Sequence, residues 1–243
     1  MGSPPHEQEH SPVDLVLSSG FLAFGRHIGF LQEVERLQLD VGGICGTSSG
    51  ALVGALWAAG VPVKDLKDLF HVRRPVSKLR LSLTPWRGVF TMAPLVREVA
   101  HLLPARLEDL PRPFAVGVCG PGQQHHLLSE GSLIPALLAS CAVPGLMTSV
   151  NVDGVRFQDG GVVDRVALSP WRDLRGERPT LVHLVDRSMG RGDEPEPHEK
   201  TLVIRSPRSH AKLWNLGPFE DQVIESASIT RTALSQWRAL PTY

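Results

Sequence analysis

The chain has 243 residues, of which 42% are hydrophobic and 21% charged, and its formal net charge at pH 7 is zero. That length suits one sizeable globular domain with a real core, and the balanced charge leaves no electrostatic footprint for nucleic acid. No apolar run approaches the roughly 20 residues that span a bilayer, and three scattered cysteines, Cys45, Cys119 and Cys141, suit buried free thiols rather than a disulfide framework or a metal site.

Residues 1–12 are polar and proline-bearing and read as a flexible tail, which leaves 13–243 as a single domain. No basic segment followed by an apolar run opens the chain, so a secretory signal is not expected. Met1-Gly2 invites a myristoylation reading, but His6 stands where that signal needs serine or threonine. Reduced thiols and no leader predict a cytoplasmic protein, at most peripheral to a membrane.

Asp14 to Ser18 reads as a strand, and a loop from Ser19 to Gly25 follows it. A helix is predicted from Arg26 to Leu37, with Ile28, Leu31, Val34 and Leu37 on one face. Leu39 to Cys45 is the next strand, and Ala51 to Ala59 the next helix. Pro62 opens a further helix through Phe70. Arg73 to Phe90 has no clear period and reads as an irregular excursion. Its charges Arg73, Arg74, Lys78, Arg80 and Arg87 alternate with Leu79, Leu81, Leu83 and Trp86, which suits a solvated surface and, second, a lid touching lipid.

A helix from Ala93 to Leu103, capped by Thr91, is expected next. Phe114 to Cys119 and Gln124 to Leu128 read as strands joined by the Gly120-Pro121-Gly122 turn. Ser132 to Ser140 reads as a helix, Val155 to Gln158 as a strand, and Leu181 to Asp186 and Leu202 to Ile204 as two more. Arg187 to Lys200 is a charged, proline-rich loop. A last helix covers Phe219 to Trp237, with Phe219, Val223, Ile224, Ala227, Ala233, Leu234 and Trp237 as its apolar stripe. Strands alternating with helices predict an α/β protein with a mainly parallel sheet.

The chemistry centres on Gly46-Thr47-Ser48-Ser49-Gly50, a G-x-S-x-G between a strand and a helix. A serine hydroxyl is a weak nucleophile unless it is exposed, held rigidly and placed beside a base. A sharp strand-to-helix turn provides the first two, and Gly46 and Gly50 remove side chains that would clash there. N–H groups at the start of the following helix, that of Ser49 among them, face any oxyanion that forms.

Three further stretches accompany this elbow: Leu15 to Gly20 with the helix start His27-Ile28-Gly29, then Ala139-Ser140-Cys141-Ala142-Val143-Pro144-Gly145, then Asp159-Gly160-Gly161. In this order, from about Val13 to Leu168, they resemble the patatin-like phospholipases. The resemblance implies a three-layer α/β/α sandwich and a Ser-Asp dyad. Ser48 matches the nucleophile and Asp159 the carboxylate base, with Gly160 and Gly161 as the motif glycines. A carboxylate buried beside Ser48 would have its pKa raised toward usefulness as a base.

The oxyanion loop of that family is S-G-G-G-x-R/K-G. Here Ser18-Ser19-Gly20-Phe21-Leu22-Ala23-Phe24 keeps only Gly20 of the glycine run, and Ala23 stands at the basic position. The N–H groups of Gly20, Phe21 and Leu22 remain as oxyanion donors, with Arg26 a substitute for the charge. Phe21 to Phe24 can alternatively form an apolar wall against an acyl chain or a partner. Asp164-Arg165 departs from the asparagine that often follows the family's aspartate. Among the ten histidines none carries a flanking pattern of a catalytic base, and His27 reads as structural.

The expected function is hydrolysis of lipid carboxylic esters, of phospholipase A or lysophospholipase type, through an acyl-enzyme on Ser48. No metal or organic cofactor is implied. Partners are a lipid or other ester substrate and, transiently, a membrane surface, but not nucleic acid. The first alternative is a degenerate relative that binds an acyl chain or a protein without turnover. The second is an acyltransferase, which normally needs a histidine base that no motif supplies.

Overall fold

The computed structural model describes residues 12–71, 80–81, 90–186, 195, 198–212 and 215–238. In chain order, β1 (Val13–Leu17) leads through α1 (Phe24–Arg36) to β2 (Val41–Thr47), and α2 (Ser49–Ala58) and α3 (Val63–His71) follow. A two-residue antiparallel pair, β3 (Arg80–Leu81) and β4 (Phe90–Thr91), precedes α4 (Ala93–Val99). Then come β5 (Phe114–Cys119), β6 (His125–Leu128), α5 (Leu133–Ser140), β7 (Val150–Val152), β8 (Val155–Asp159), α6 (Leu168–Arg175), β9 (Thr180–Val185), β10 (Thr201–Ser206) and α7 (Phe219–Arg238).

β10, β9, β1, β2 and β5 lie side by side and parallel, as β-α-β connections require. β6, β7 and β8 extend the sheet as antiparallel strands. The arrangement around β5 decides the site. A strand has two hydrogen-bonding edges. β6 pairs with Val116 to Cys119 on one of them. β2 pairs with Phe114 to Gly117, so it holds the other. β8 pairs with Val118 and Cys119, where β6 already occupies the first edge, so β8 continues the edge that β2 leaves. Thr47 faces Gly117, Asp159 faces Val118, and the two strand ends meet on consecutive positions.

Alternation along β1 divides the interior. Leu15 and Leu17 enter the large core that α1, α2, α3, α5 and α7 cover, while Val16 faces a smaller cluster with Cys45, Ala115, Val182, Leu184 and Trp171 of α6. The sheet is therefore covered on both faces, unequally. All ten residues of α2 are buried, so that helix is apolar around its whole circumference. Asp14, on the smaller face, is buried within 3.4 Å of Arg175, and burial pushes its carboxyl up while that guanidinium opposes the shift.

Several expectations need correction. α4 stops at Val99, continues as a 3-10 turn over Ala100–Leu102, and starts at Met92 without a side-chain cap, so Thr91 does not cap it. α6 has no counterpart among the expected elements, because Ser169 and Pro170 break the look of a helix. Proline is harmless there, since the first turn has no N–H acceptor to lose. β7 is a further strand beyond those expected, joined to β8 at Asp153-Gly154, a strong hairpin signal at which both residues adopt positive φ, 48° and 94°. Ile224 is 65% exposed and lies outside the buried stripe of α7. Most of the predicted loop Arg187 to Lys200, and residues 73–79 and 82–89 of the basic excursion, lie outside the described residues.

Candidate active site

β2 ends at Thr47 and α2 begins at Ser49, so Ser48 makes the entire turn between them. Its backbone is at φ 55°, ψ −119°, a left-handed conformation that L-residues avoid and that costs about 1–3 kcal/mol. Surroundings must hold it there. A Cβ on Gly50 would lie 2.4 Å from the Leu17 carbonyl oxygen, so only glycine lets α2 start this close to the end of β1. Gly46 sits in the ladder opposite Leu17 and Val116.

Asp159 ends β8 on the position next to Thr47, and its side chain is 6% exposed. Its carboxylate interacts with the Ser48 side chain, and the Gly161 N–H donates to Oδ1 at 2.8 Å. Burial raises the carboxyl from 3.8 to about 6, with the Ser48 and Gly161 hydrogen bonds opposing. A Cβ on Gly160 would come 2.6 Å from the Gly117 carbonyl, which fixes a glycine where the turn crosses β5.

The loop after β1 is fastened by its carbonyls. The Ser19 carbonyl accepts from Arg165 Nη2 at 3.1 Å, that of Gly20 from the Ser49 hydroxyl at 2.7 Å and from Ala23 N–H at 3.2 Å, and that of Phe21 from the Ser209 hydroxyl at 2.7 Å. In a trans peptide the N–H points opposite to the preceding C=O. The N–H groups of Gly20, Phe21 and Leu22 therefore turn away from those donors, and among the described residues they have no acceptor. The Ser49 N–H, in the first turn of α2, also has no acceptor among the described residues. Leu22 is held at φ 48°.

Two readings of this loop are corrected. Arg26 does not replace the missing charge: it is buried and ion-paired with Glu225 of α7. The stretch Phe21 to Phe24 is not an apolar wall either. Only Phe21 is exposed, at 37%, while Leu22, Ala23 and Phe24 are buried and Phe24 stacks on Phe70. The Asp164-Arg165 pair has two roles. Asp164 Oδ1 accepts the N–H groups of Val166 and Ala167 ahead of α6, and buried Arg165 also donates to the Val185 carbonyl.

The motif Ala139 to Gly145 had no assigned task in the sequence. Here Ser140 and Cys141 touch the backbone of Ser48, and Ala142 that of Asp159. A lone serine closing an apolar helix was the signal available. His27 is buried against His183, with 2.9 Å between their Nδ1 atoms, and burial holds it down to about 3. Among the described residues no three His, Cys, Asp or Glu side chains cluster as metal ligands.

A serine alone on a strand-to-helix turn, a carboxylate at the adjoining strand end and a loop of unpartnered N–H groups define a serine-centred α/β protein. The profile of the patatin-like phospholipase family matches residues 15–170, and the chain belongs to that family. An uncharacterized NTE family protein of Mycobacterium tuberculosis is 28% identical over 212 residues, covering 84% of this chain and 58% of that protein. The lysophospholipase NTE1 of Pyricularia oryzae is 27% identical over 199 residues, 78% of this chain but 13% of that one. The chain thus spans 58% of the length of its mycobacterial relative. VipD from Legionella pneumophila shares the fold, with a TM-score of 0.62 at 12% identity over 93% of this chain and 67% of its own. No helix among the described residues is long and apolar enough to cross a membrane.

Proposed function

We propose that this chain hydrolyses carboxylic esters of lipids, of the phospholipase A or lysophospholipase type, with Ser48 as nucleophile and Asp159 as base. The observation that carries the reading is the placement of the buried Asp159 carboxyl, its pKa raised to about 6 and acted on by the Ser48 side chain, on the strand position next to the elbow. A base near neutrality gives the best compromise between being deprotonated and wanting the proton.

In this mechanism Ser48 Oγ attacks the acyl carbonyl as its proton passes to Asp159. The resulting oxyanion is met by the N–H groups of Gly20, Phe21, Leu22 and Ser49. Collapse breaks the bond to the leaving alcohol, which takes the proton from Asp159. Water then attacks the acyl-enzyme, gives its proton to Asp159, and releases the fatty acid as Ser48 recovers its hydrogen. Exposed Phe21, Val162 and Val163, from the oxyanion loop and from the segment after Gly161, offer apolar surface beside the dyad for the lipid. The lysophospholipase named among the relatives supports the substrate class.

The test is covalent. A fluorophosphonate probe should add to Ser48 in the wild type and not in Ser48→Ala, and lysophospholipid should be turned over only by the former. A folded wild type that neither labels nor hydrolyses would end the proposal.

The altered loop favours one second reading, an acyl-binding relative with little turnover. Ala23 is fully buried, so the family's basic residue cannot simply be put back there. Phe21→Gly is the cleaner probe. Under this second reading Ser48 labels but wild-type hydrolysis equals that of Ser48→Ala, and Phe21→Gly raises it.

A further inference from the structure

The two members of the dyad come from strands that never pair with each other, yet one short segment touches the backbone of both. Ser140 closes α5 and is fully buried. Its hydroxyl accepts the Ser48 N–H at 2.7 Å and donates to the Gly117 carbonyl at 2.8 Å. The next residue, Cys141, directs its thiol at the Ser48 carbonyl, 3.5 Å away. The next, Ala142, accepts the Asp159 N–H on its carbonyl at 3.0 Å.

The geometry points to Ser140-Cys141-Ala142 as the element that positions Ser48 against Asp159, with the Ser140 hydroxyl as its principal contact. This rests on the hydrolase reading given above. Three consecutive residues grip the N–H and the C=O of the nucleophile and the N–H of the base. Gly117, to which Ser140 is anchored, is the β5 residue opposite Thr47. Ser140 therefore ties the elbow to the same strand that sets the register of Asp159.

Two consequences follow. First, the Ser48 N–H is committed to Ser140 and is not available to an oxyanion, which leaves that task to the loop and to Ser49. Second, the left-handed Ser48 backbone has polar side chains on both its hydrogen-bonding groups, in a conformation the chain would otherwise leave. Cys141 acts by contact and not by reactivity. It is 5% exposed, and burial pushes its thiol far up, so little thiolate forms near neutrality.

The test compares Ser140→Ala, Ser140→Thr and Cys141→Ala with the wild type. Ser140→Ala should lower kcat and the rate of fluorophosphonate labelling on the order of a hundredfold, the scale of a small misplacement. KM should stay within about twofold, since no substrate contact is lost. The pH midpoint of kcat should rise, because the Ser48 hydrogen bond that holds the Asp159 carboxyl down is weakened. Ser140→Thr, which keeps the hydroxyl, should recover most of the rate. A folded Ser140→Ala with wild-type kcat and midpoint overturns the proposal, and so does a Thr variant as slow as Ala with an unshifted midpoint. Should Ser140→Ala fail to fold, Cys141→Ala decides: a smaller loss with the midpoint moved the same way supports the proposal, and no change overturns it. Amide exchange at Ser48 separates this proposal from the hydrolase reading. If the wild type proves inert toward esters and probe, faster Ser48 exchange in Ser140→Ala still upholds the positioning, and unchanged exchange refutes it.

Discussion

Two buried polar regions adjoin the loop from Ser18 to Leu22, and they follow opposite plans. The first is a relay of His27, His183, Ser206 and Ser226, all fully buried. Its proton directions can be worked out. Ser226 donates to the Arg26 carbonyl at 2.7 Å, so across the 3.0 Å contact it is Ser206 that donates to Ser226. The proton of Ser206 is then committed, so His183 Nε2 donates to it at 2.9 Å. His183 Nδ1 is left as acceptor, and His27 Nδ1 supplies the hydrogen. Both imidazoles are neutral with one defined tautomer each, and the ring nitrogen left outside the relay, His27 Nε2, is buried without a hydrogen-bond partner. Burial lowers His27 to about 3 and His183 well below its usual value.

The second region is Asp159, which has a Ser48 hydroxyl and one N–H for partners and titrates near 6. Burial keeps the relay's histidines neutral with their hydrogen bonds directed at one another and at serines, while the Asp159 carboxyl is brought near neutrality beside the Ser48 hydroxyl. Burial alone does not mark a catalytic group. What separates the two is the direction of the shift: burial takes the histidine pKa values away from neutrality and brings that of the Asp159 carboxyl toward it.

The comparison is broken most sharply at Asp159. Asp159→Asn should lower kcat on the order of ten-thousandfold, as loss of a dyad or triad carboxylate does, while stabilising the fold near neutrality. A folded-state pKa of about 6 against 3.8 corresponds to roughly 3 kcal/mol. The sign follows from linkage. A raised acid pKa gives stability that is present below 3.8 and lost as pH rises through about 6, so the ionised carboxylate is a burden above that pH. Asparagine removes it. Thermal melts should show the variant ahead at pH 7.5 and level with the wild type by about pH 4; no gain at pH 7.5 would show that the carboxylate is not buried as described.

The relay has the opposite slope. Its histidine pKa values are lowered, so the unfolded chain binds more protons between about 3 and 6.5 and stability is lost as pH falls through that window. Ser226→Ala should cost about 1–3 kcal/mol by leaving partners unsatisfied, and urea midpoints measure this, with kcat unchanged within about twofold. A tenfold fall in kcat would join the relay to catalysis and erase the distinction. Activity itself should rise with pH through a midpoint near 6 and then level off, since Asp159 must be deprotonated. A limb near 7 that shifts in His27→Gln would instead implicate a histidine.

The smallest effect concerns the rim. Phe21→Ser should reduce turnover on phospholipid vesicles a few-fold, in line with the loss of one partly exposed apolar side chain. It should leave hydrolysis of a short soluble ester unchanged. Equal loss on both substrates would place Phe21 in the oxyanion geometry rather than at the lipid.

Much of the architecture is legible in the sequence because period and punctuation are local signals. The elbow at Gly46 to Gly50, the strand before Asp159 and the helix from Phe219 all announce themselves this way. α6 was hidden by Ser169-Pro170, and β7 by its three-residue length. The motifs that hold Ser48 and Asp159 are legible one by one, but their joining is not. Ser48 and Asp159 lie 111 positions apart, the difference of their numbers, and nothing local to either says that β2 and β8 share an edge of β5. Arg26 shows the reverse error, since closeness to the loop in sequence placed it on the wrong side of α1.

That shared edge also works as a ruler. Along a strand, side chains alternate faces, so moving β8 by a single position against β5 would turn Asp159 to the opposite face of the sheet and bring Gln158 or Gly160 beside Ser48. Chemistry at this site thus depends on counting as much as on residue identity. Between Val155 and Asp159 an inserted or deleted residue would separate the Asp159 carboxylate from Ser48 while both residues are still present in the sequence.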